Sequence, residues 1–284
     1  MNFSRPVSSI VFFVSLVSLI RAGEMPTLES RDKEQVHLFL LAGQSNMSGR
    51  GRVEPADKKI HPRVFALSKD SRWVPAAAPI HYDKKRAGVG LGKSFAIQLV
   101  EENPNIVIGL IPAACGGSSI SSWAPGRYHS PTRSYPFDDA MQRIRRAEQD
   151  GTLKGILWHQ GESDSNPEAV VTYAQNLRNL VLRFREDLNA ANVPFIIGQL
   201  GQFAGNPWDD SKKRLNEAHL LISHEIPLVG YVSSNGLTGR DKLHFDSASL
   251  REFGRRYASV YLKLIEQDMD QHSEKSEADK TFSN

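Results

Sequence analysis

Four short runs in the sequence hold residue types that together can cleave an ester. The first is Gly43-Gln44-Ser45-Asn46-Met47, directly after an apolar stretch. A serine at a strand-to-helix turn presents its hydroxyl above a sheet and turns its own N–H into the same space. That arrangement suits a nucleophile whose backbone helps to hold an oxyanion. Met47 stands where a G-x-S-x-G elbow needs its second glycine, and Ser45 comes at the first strand, so an ordinary α/β-hydrolase is disfavoured. Alone, Ser45 is better explained as a helix cap. The second run is Cys115-Gly116-Gly117-Ser118-Ser119. Paired glycines bring backbone N–H groups close to a ligand, or simply make a turn. Cys115 has no neighbour that would activate it and reads as a small buried residue. The third run is Trp158-His159-Gln160-Gly161-Glu162-Ser163-Asp164. Gln160 can donate an amide N–H to a developing oxyanion, and Glu162 is an acid at the same mouth; a polar capping loop is the plainer reading. The fourth is Asp241-Lys242-Leu243-His244-Phe245-Asp246. An Asp three residues before a His can accept from its Nδ1–H and leave Nε2 as a base. The runs arrive in the order that a Ser…Asp…His hydrolase needs.

Each run follows or adjoins an apolar segment able to position it. Val36–Ala42, Ile106–Pro112, Leu153–His159, Phe195–Leu200 and Leu228–Ser233 read as strands, the first two as continuous apolar runs of the kind buried on both faces. Between and after them lie helical segments: Leu91–Glu101, Asp138–Asp150, Pro167–Leu188 with Asn166 as its cap, Asp209–His224, and Asp246–Glu266 with Asp246 as its cap. Five strands alternating with helices predict a parallel sheet covered on both faces, with its ligand site at the carboxyl ends of the strands. Segments 49–90 and 123–136 read as loops. Trp123, Tyr128 and Tyr135 in the second either line a sugar platform or pack that loop down.

The N-terminus predicts export. Arg5 precedes Ile10–Ile20, an eleven-residue apolar run too short to span a bilayer but suited to a signal peptide, with small Ala22 and Gly23 near a cleavage point. The expected organisation is a signal peptide at 1–23, one domain at 24–266, and a polar, frayed tail at 267–284. The mature protein is expected to be secreted or periplasmic, without stable membrane insertion. The 284 residues carry 35 Lys+Arg against 32 Asp+Glu. Removing Arg5 and Arg21 leaves 33 cations against 32 acids, a near-balance that argues against nucleic acid as a partner. The clusters Arg143/Arg145/Arg146, Lys212/Lys213/Arg214 and Arg251/Arg255/Arg256 read as solvated helix faces. A single Cys excludes an intrachain disulfide and any Cys-based zinc site. His37, His61, His81, His129, His219 and His224 lack paired ligand spacing.

The runs LAGQSNMSGRG (Leu41–Gly51), Gly-Gly-Ser-Ser, WHQGESD and DKLHFD resemble the SGNH hydrolase superfamily. More narrowly, they are similar to the carbohydrate acetylesterases grouped with sialate O-acetylesterases and family 6 acetylxylan esterases. The likeness spans residues 36–260. It implies a flavodoxin-like, three-layer α/β/α sandwich around a five-stranded parallel sheet. Carried onto this chain, it implies Ser45 as nucleophile, His244 as general base and Asp241 as the acid orienting His244. Ser45 N–H, the N–H of Gly116 or Gly117, and the Gln160 side chain would form the oxyanion hole. Gln takes this amide place in the subgroup where Asn fills it elsewhere. Some related esterases use the Glu of the HQGE motif as the triad acid, so Glu162 remains a competitor to Asp241. The implied activity is removal of O-acetyl groups from an acetylated oligo- or polysaccharide through an acetyl-serine, with no metal or cofactor. An acetylated plant or algal polysaccharide is the first expectation for the substrate and an O-acetylated sialic acid the second. A carbohydrate-binding protein that has lost turnover is the rival from another class.

Overall fold

In the computed structural model, residues 27–203 and 205–282 are described; the expected signal peptide lies outside them. The apolar run after residue 35 forms β1 (Val36–Gly43). Successive side chains of a strand point to opposite faces, and β1 sorts accordingly. Leu38, Leu40 and Ala42 enter one apolar cluster, Phe39 and Leu41 the other. After β1 come α1 (Ser45–Ser48), α2 (Pro55–Lys58), β2 (Val64–Leu67), β3 (Trp73–Pro75), α3 (Gly92–Glu102) and β4 (Val107–Pro112). Then follow α4 (Pro136–Ala147), β5 (Thr152–His159), α5 (Val170–Asp187), β6 (Phe195–Gly198), α6 (Asp210–Glu225), β7 (Val229–Val232) and α7 (Ser247–Phe282).

The strands form one sheet in the order β3-β2-β4-β1-β5-β6-β7, parallel throughout except for β3, which runs antiparallel to β2. Helices α4, α5 and α6 cover one face through Ile144, Leu177, Val181, Leu215 and Ile222. Helices α3 and α7 cover the other through Phe95, Leu99, Phe253 and Tyr257. On that side Phe39 meets Phe95 and Tyr261 edge to face, with ring centroids 4.9 and 5.1 Å apart. This is the expected three-layer sandwich, but with seven strands in place of five. The two extra strands lie in the segment read as loop. They are short, four and three residues, and too brief to show a period. Trp73 secures the hairpin by donating its indole N–H to Asp150 Oδ2 at 2.9 Å.

Two further readings change. The last helix does not stop at Glu266 but continues to Phe282. Residues 267–282 hold neither Pro nor Gly, and their Glu, Lys, Gln and Ala favour helix without supplying an apolar stripe. Arg143, read as part of a solvated face, turns inward. It donates to the carbonyls of Pro112 (2.8 Å), Leu67 (2.6 Å) and Ser68 (3.2 Å), tying α4 to the ends of β2 and β4. Asp246 caps as expected, accepting from Ser249 N (2.8 Å). Asn166 accepts from Ala169 N (2.9 Å) in the turn ahead of α5, which starts at Val170 and not at Pro167.

Candidate active site

At the carboxyl end of β1 the chain must turn sharply beside β5. Gly43 adopts φ +125°, and a Cβ there would lie 2.1 Å from the His159 carbonyl oxygen. Only glycine fits, and the turn delivers Ser45 as the first residue of α1. Its N–H, at a helix start, has no intrahelical acceptor.

His244 arrives from the loop between β7 and α7. Phe245 is fully buried among Phe203, Phe253 and the His159 ring, and fixes the inner end of this loop. His244 Nε2 lies 3.1 Å from Ser45 Oγ, and its Nδ1 lies 3.0 Å from Asp241 Oδ2. Asp241 Oδ1 also accepts from the N–H groups of Leu243 (2.8 Å) and His244 (2.7 Å), so a local turn aims the carboxylate. Burial pushes the Asp241 carboxyl up, but the His244 ring, those two N–H groups and the imidazole charge outweigh it and hold it below the usual carboxylate range. A carboxylate on Nδ1 leaves Nε2 bare toward Ser45, the tautomer a base requires. The Asp241 side chain is half exposed, which places water beside it.

Glu162 does not reach His244. It follows β5, its side chain is 5% exposed, and its Oε1 accepts from Asn46 Nδ2 and stands 3.7 Å from His159 Nδ1. Of the two acids left open by the sequence, the one in contact with the imidazole is Asp241.

Gln160 requires correction as a side-chain oxyanion donor. It is fully buried, and its Nε2 faces three acceptors: Asp164 Oδ2 (2.5 Å), Ser118 O (3.0 Å) and Gln44 Oε1 (3.1 Å). Its Oε1 accepts from Tyr173 O–H at 3.0 Å. An amide has two N–H protons, so this one is spent inside the protein. The amide next to Ser45 belongs to Gln44. Its Oε1 accepts from Gln160 Nε2, Gly161 N and Ser163 N, which turns Nε2 away from these groups, and Nε2 donates to no group among the described residues. Its position inside G-Q-S-N was the only sequence signal for this role.

The two glycines also separate. Gly116 N–H is given to Asp83 Oδ2 at 2.9 Å. Gly117 is exposed, at φ +87°, and its N–H makes no hydrogen bond among the described residues. Asp83 is itself held by Arg50 (2.8 Å) and by Ser48 Oγ (2.9 Å). Burial would raise its carboxyl, but the Arg50 hydrogen bond and charge lower it below the usual range. This ion pair, with side chains 2% and 3% exposed, buttresses the glycine turn. Nothing in the spacing of residues 50 and 83 announces it.

Beside that turn lies a cavity of about 800 Å³ at the ends of β2 and β4, lined among others by Lys69, Tyr82, Asp83, Cys115, Arg133 and Arg143. Burial pushes the Cys115 thiol up to about 11, so it stays protonated at neutral pH. Of the loop aromatics, Trp123 is buried against Trp158, whereas Tyr128 and Tyr135 are exposed and touch each other, with ring centroids 5.2 Å apart. Among the described residues no three His, Cys, Asp or Glu side chains converge as metal ligands, and no helix is long and apolar enough to cross a membrane.

Residues 35–263 match the family model described as carbohydrate esterase, sialic acid-specific acetylesterase. A protein of Arabidopsis thaliana named as a probable carbohydrate esterase is 31% identical over 247 residues, covering 79% of this chain and 90% of its own. The crystal structure of that protein superposes with a TM-score of 0.70 at 29% identity, covering 80% of this chain and 98% of the other. Two more distant structures share the fold. One is NanS, with a TM-score of 0.65 at 18% identity, covering 84% of this chain and 99% of the other. The second is a carbohydrate acetylesterase of Xanthomonas citri, with a TM-score of 0.61 at 19% identity, covering 79% of this chain and 55% of the other. With a seven-stranded sheet bearing the Ser45, His244 and Asp241 runs at its carboxyl end, the chain belongs to the sialic acid-specific acetylesterase family of carbohydrate esterases, a family of carboxylic ester hydrolases.

Proposed function

We propose that this protein is an exported serine esterase that removes O-acetyl groups from carbohydrate through an acetyl-serine intermediate. The observation that carries the reading is the continuous hydrogen-bond chain from Asp241 through His244 to Ser45. His244 Nε2 takes the Ser45 proton while Ser45 Oγ bonds to the acetyl carbon. The carbonyl oxygen becomes an oxyanion, held by the N–H groups of Ser45 and Gly117 and by the Gln44 side-chain amide, which give no hydrogen bond to an acceptor among the described residues. As the bond from the acetyl carbon to the sugar oxygen breaks, the imidazolium returns its proton to that oxygen. Asp241 stabilises the imidazolium during both transfers. Water, deprotonated by His244, then attacks the acetyl-serine and acetate leaves.

An acetylated plant or algal polysaccharide is the proposed substrate. The exposed Tyr128–Tyr135 pair offers aromatic faces to sugar rings. An O-acetylated sialic acid is the second reading, favoured by Lys69 and Arg133 in the adjoining cavity, which suit a carboxylate. Export rests on the apolar run Ile10–Ile20 after Arg5. The test is acetate release by residues 24–284 from acetylated xylan, O-acetylated sialic acid and aryl esters of increasing chain length. Preference for acetyl over butyryl and longer supports the sugar esterase, and the favoured glycan decides between the two substrates. A folded protein that binds these glycans without releasing acetate is instead a binding protein.

A further inference from the structure

Asn46 and Glu162 perform no step of the acyl transfer, yet both are buried and joined beside it. Asn46 is fully buried and the Glu162 side chain nearly so. Asn46 Nδ2 donates to Leu243 O at 3.1 Å, and Asn46 Oδ1 accepts from Phe245 N at 3.2 Å. Those two peptide groups bracket His244. One side chain therefore grips the backbone on both sides of the catalytic base, and it belongs to the residue that follows the nucleophile.

The loop is exposed, with Leu243 at 41%. Its earlier residues are tied down by Thr238 N to Ser249 Oγ (2.8 Å), by Arg240 to Arg50 O and by Asn206 Nδ2 to Lys242 O (2.6 Å). The two peptide groups that flank His244, Leu243 O and Phe245 N, are instead held by the Asn46 amide. The amide can bind both peptide groups only with Nδ2 toward Leu243 O and Oδ1 toward Phe245 N. Glu162 Oε1 supplies a second acceptor on the Nδ2 side. A reversed amide would set its oxygen against two acceptors, so the carboxylate locks the productive orientation. Glu162 Oε2 is buried without a hydrogen-bond partner among the described residues, a cost to the fold that the bond of Oε1 to Asn46 must offset.

We propose that Glu162 is a positioning residue that acts through Asn46 to hold the His244 loop, and so the imidazole, against Ser45. The proposal rests on the reading of Ser45 and His244 as nucleophile and base. It removes Glu162 from the triad and gives the N of the G-Q-S-N run and the E of the H-Q-G-E run one joint task.

The test is steady-state kinetics and pH profiles on an aryl acetate for the purified protein and its variants, with thermal melts to confirm folding. Displacing a catalytic group by about 1 Å lowers the rate by about 10²-fold. Asn46→Ala and Glu162→Ala should each lower kcat by about that factor, with KM within about threefold of wild type. Glu162→Gln keeps a carbonyl acceptor for Asn46 and should lose less than about tenfold, with the pH profile in place. Asn46→Asp sets two carboxylates face to face and should fall as far as Asn46→Ala. The inference is overturned if the folded Ala variants keep wild-type kcat. It is also overturned if Glu162→Gln loses about 10⁴-fold and shifts the pH profile, as loss of a triad acid would. Ser45→Ala in the same assay separates the two levels. Its inactivity beside active Asn46 and Glu162 variants rejects only the clamp, whereas its activity rejects the esterase reading beneath it.

Discussion

Replacing Asp241 by Asn tests the acid that touches the imidazole. The Asn Oδ1 can still accept from the N–H groups of Leu243 and His244, so the turn survives. What changes is the atom 3.0 Å from His244 Nδ1, where an N–H replaces a carboxylate oxygen. Oδ1, 3.1 Å from Nδ1, remains an acceptor but already holds two N–H groups. The new N–H facing Nδ1 therefore disfavours a proton there and shifts the imidazole toward the tautomer with its proton on Nε2, which points an N–H at Ser45 Oγ and cannot act as base. In a serine protease with a buried acid this change costs about 10⁴ in kcat, or about 5 kcal/mol at 1.36 kcal/mol per tenfold. Asp241 is half exposed. Water screens the charge it offers the imidazolium and lets a substituted amide swing aside. We therefore expect a loss of about 10²–10³ in kcat, about 3–4 kcal/mol, with KM nearly unchanged. Initial rates of acetate release from an aryl acetate, measured from pH 5 to 9, read it directly. A folded Asp241→Asn variant within about threefold of wild type would refute the reasoning.

Other perturbations separate chemistry from scaffolding. Gln44→Ala should lower kcat by about 10²–10³, since it removes a candidate oxyanion donor, and should also lower stability, because Gly161 N and Ser163 N lose their acceptor. Gln160→Ala should lower stability by roughly 2–4 kcal/mol in urea titrations, because Asp164, Gln44 and Tyr173 each lose one hydrogen-bond partner, while its kcat stays within about tenfold. A folded Gln160→Ala variant that loses about 10²–10³ in kcat while Gln44→Ala keeps it would return the oxyanion role to Gln160. His219 is fully buried, and burial, with His159 nearby, pushes its pKa from 6.5 down to about 3. Its stability contribution is complete above pH 6.5 and falls as the pH drops toward 3, because the unfolded chain takes up the proton first. This loss should reach about 2 kcal/mol between pH 6.5 and 5, and His219→Gln should flatten that slope in denaturant midpoints across the range.

What could be read from the sequence divides along physical lines. The strands β1 and β4 were visible because burial on both faces demands unbroken apolar runs, and Asp209 and Asp246 marked helix starts where their side chains cap; the start of α4 at Pro136, two residues before the expected Asp138, was read as loop. The β2–β3 hairpin was not visible, because strands of four and three residues give no period and Pro75 ends one of them. At the site, Ser45, His244 and Asp241 were identifiable because their chemistry needs those residue types in that order. The partition of donors was not. Whether Gln44 or Gln160, and Gly116 or Gly117, offers an N–H to the mouth depends on which are consumed by Asp164, Ser118 and Asp83. Those partners are distant in sequence and set only by the fold. The Arg50–Asp83 pair is hidden for the same reason.

The central claim is that Ser45 is the acetyl acceptor. Its most direct test is acetate release by the purified protein beside Ser45→Ala, on the acetylated substrate that the wild type prefers. The account predicts a folded variant slower by about 10⁴–10⁶. Wild-type turnover by Ser45→Ala would contradict it.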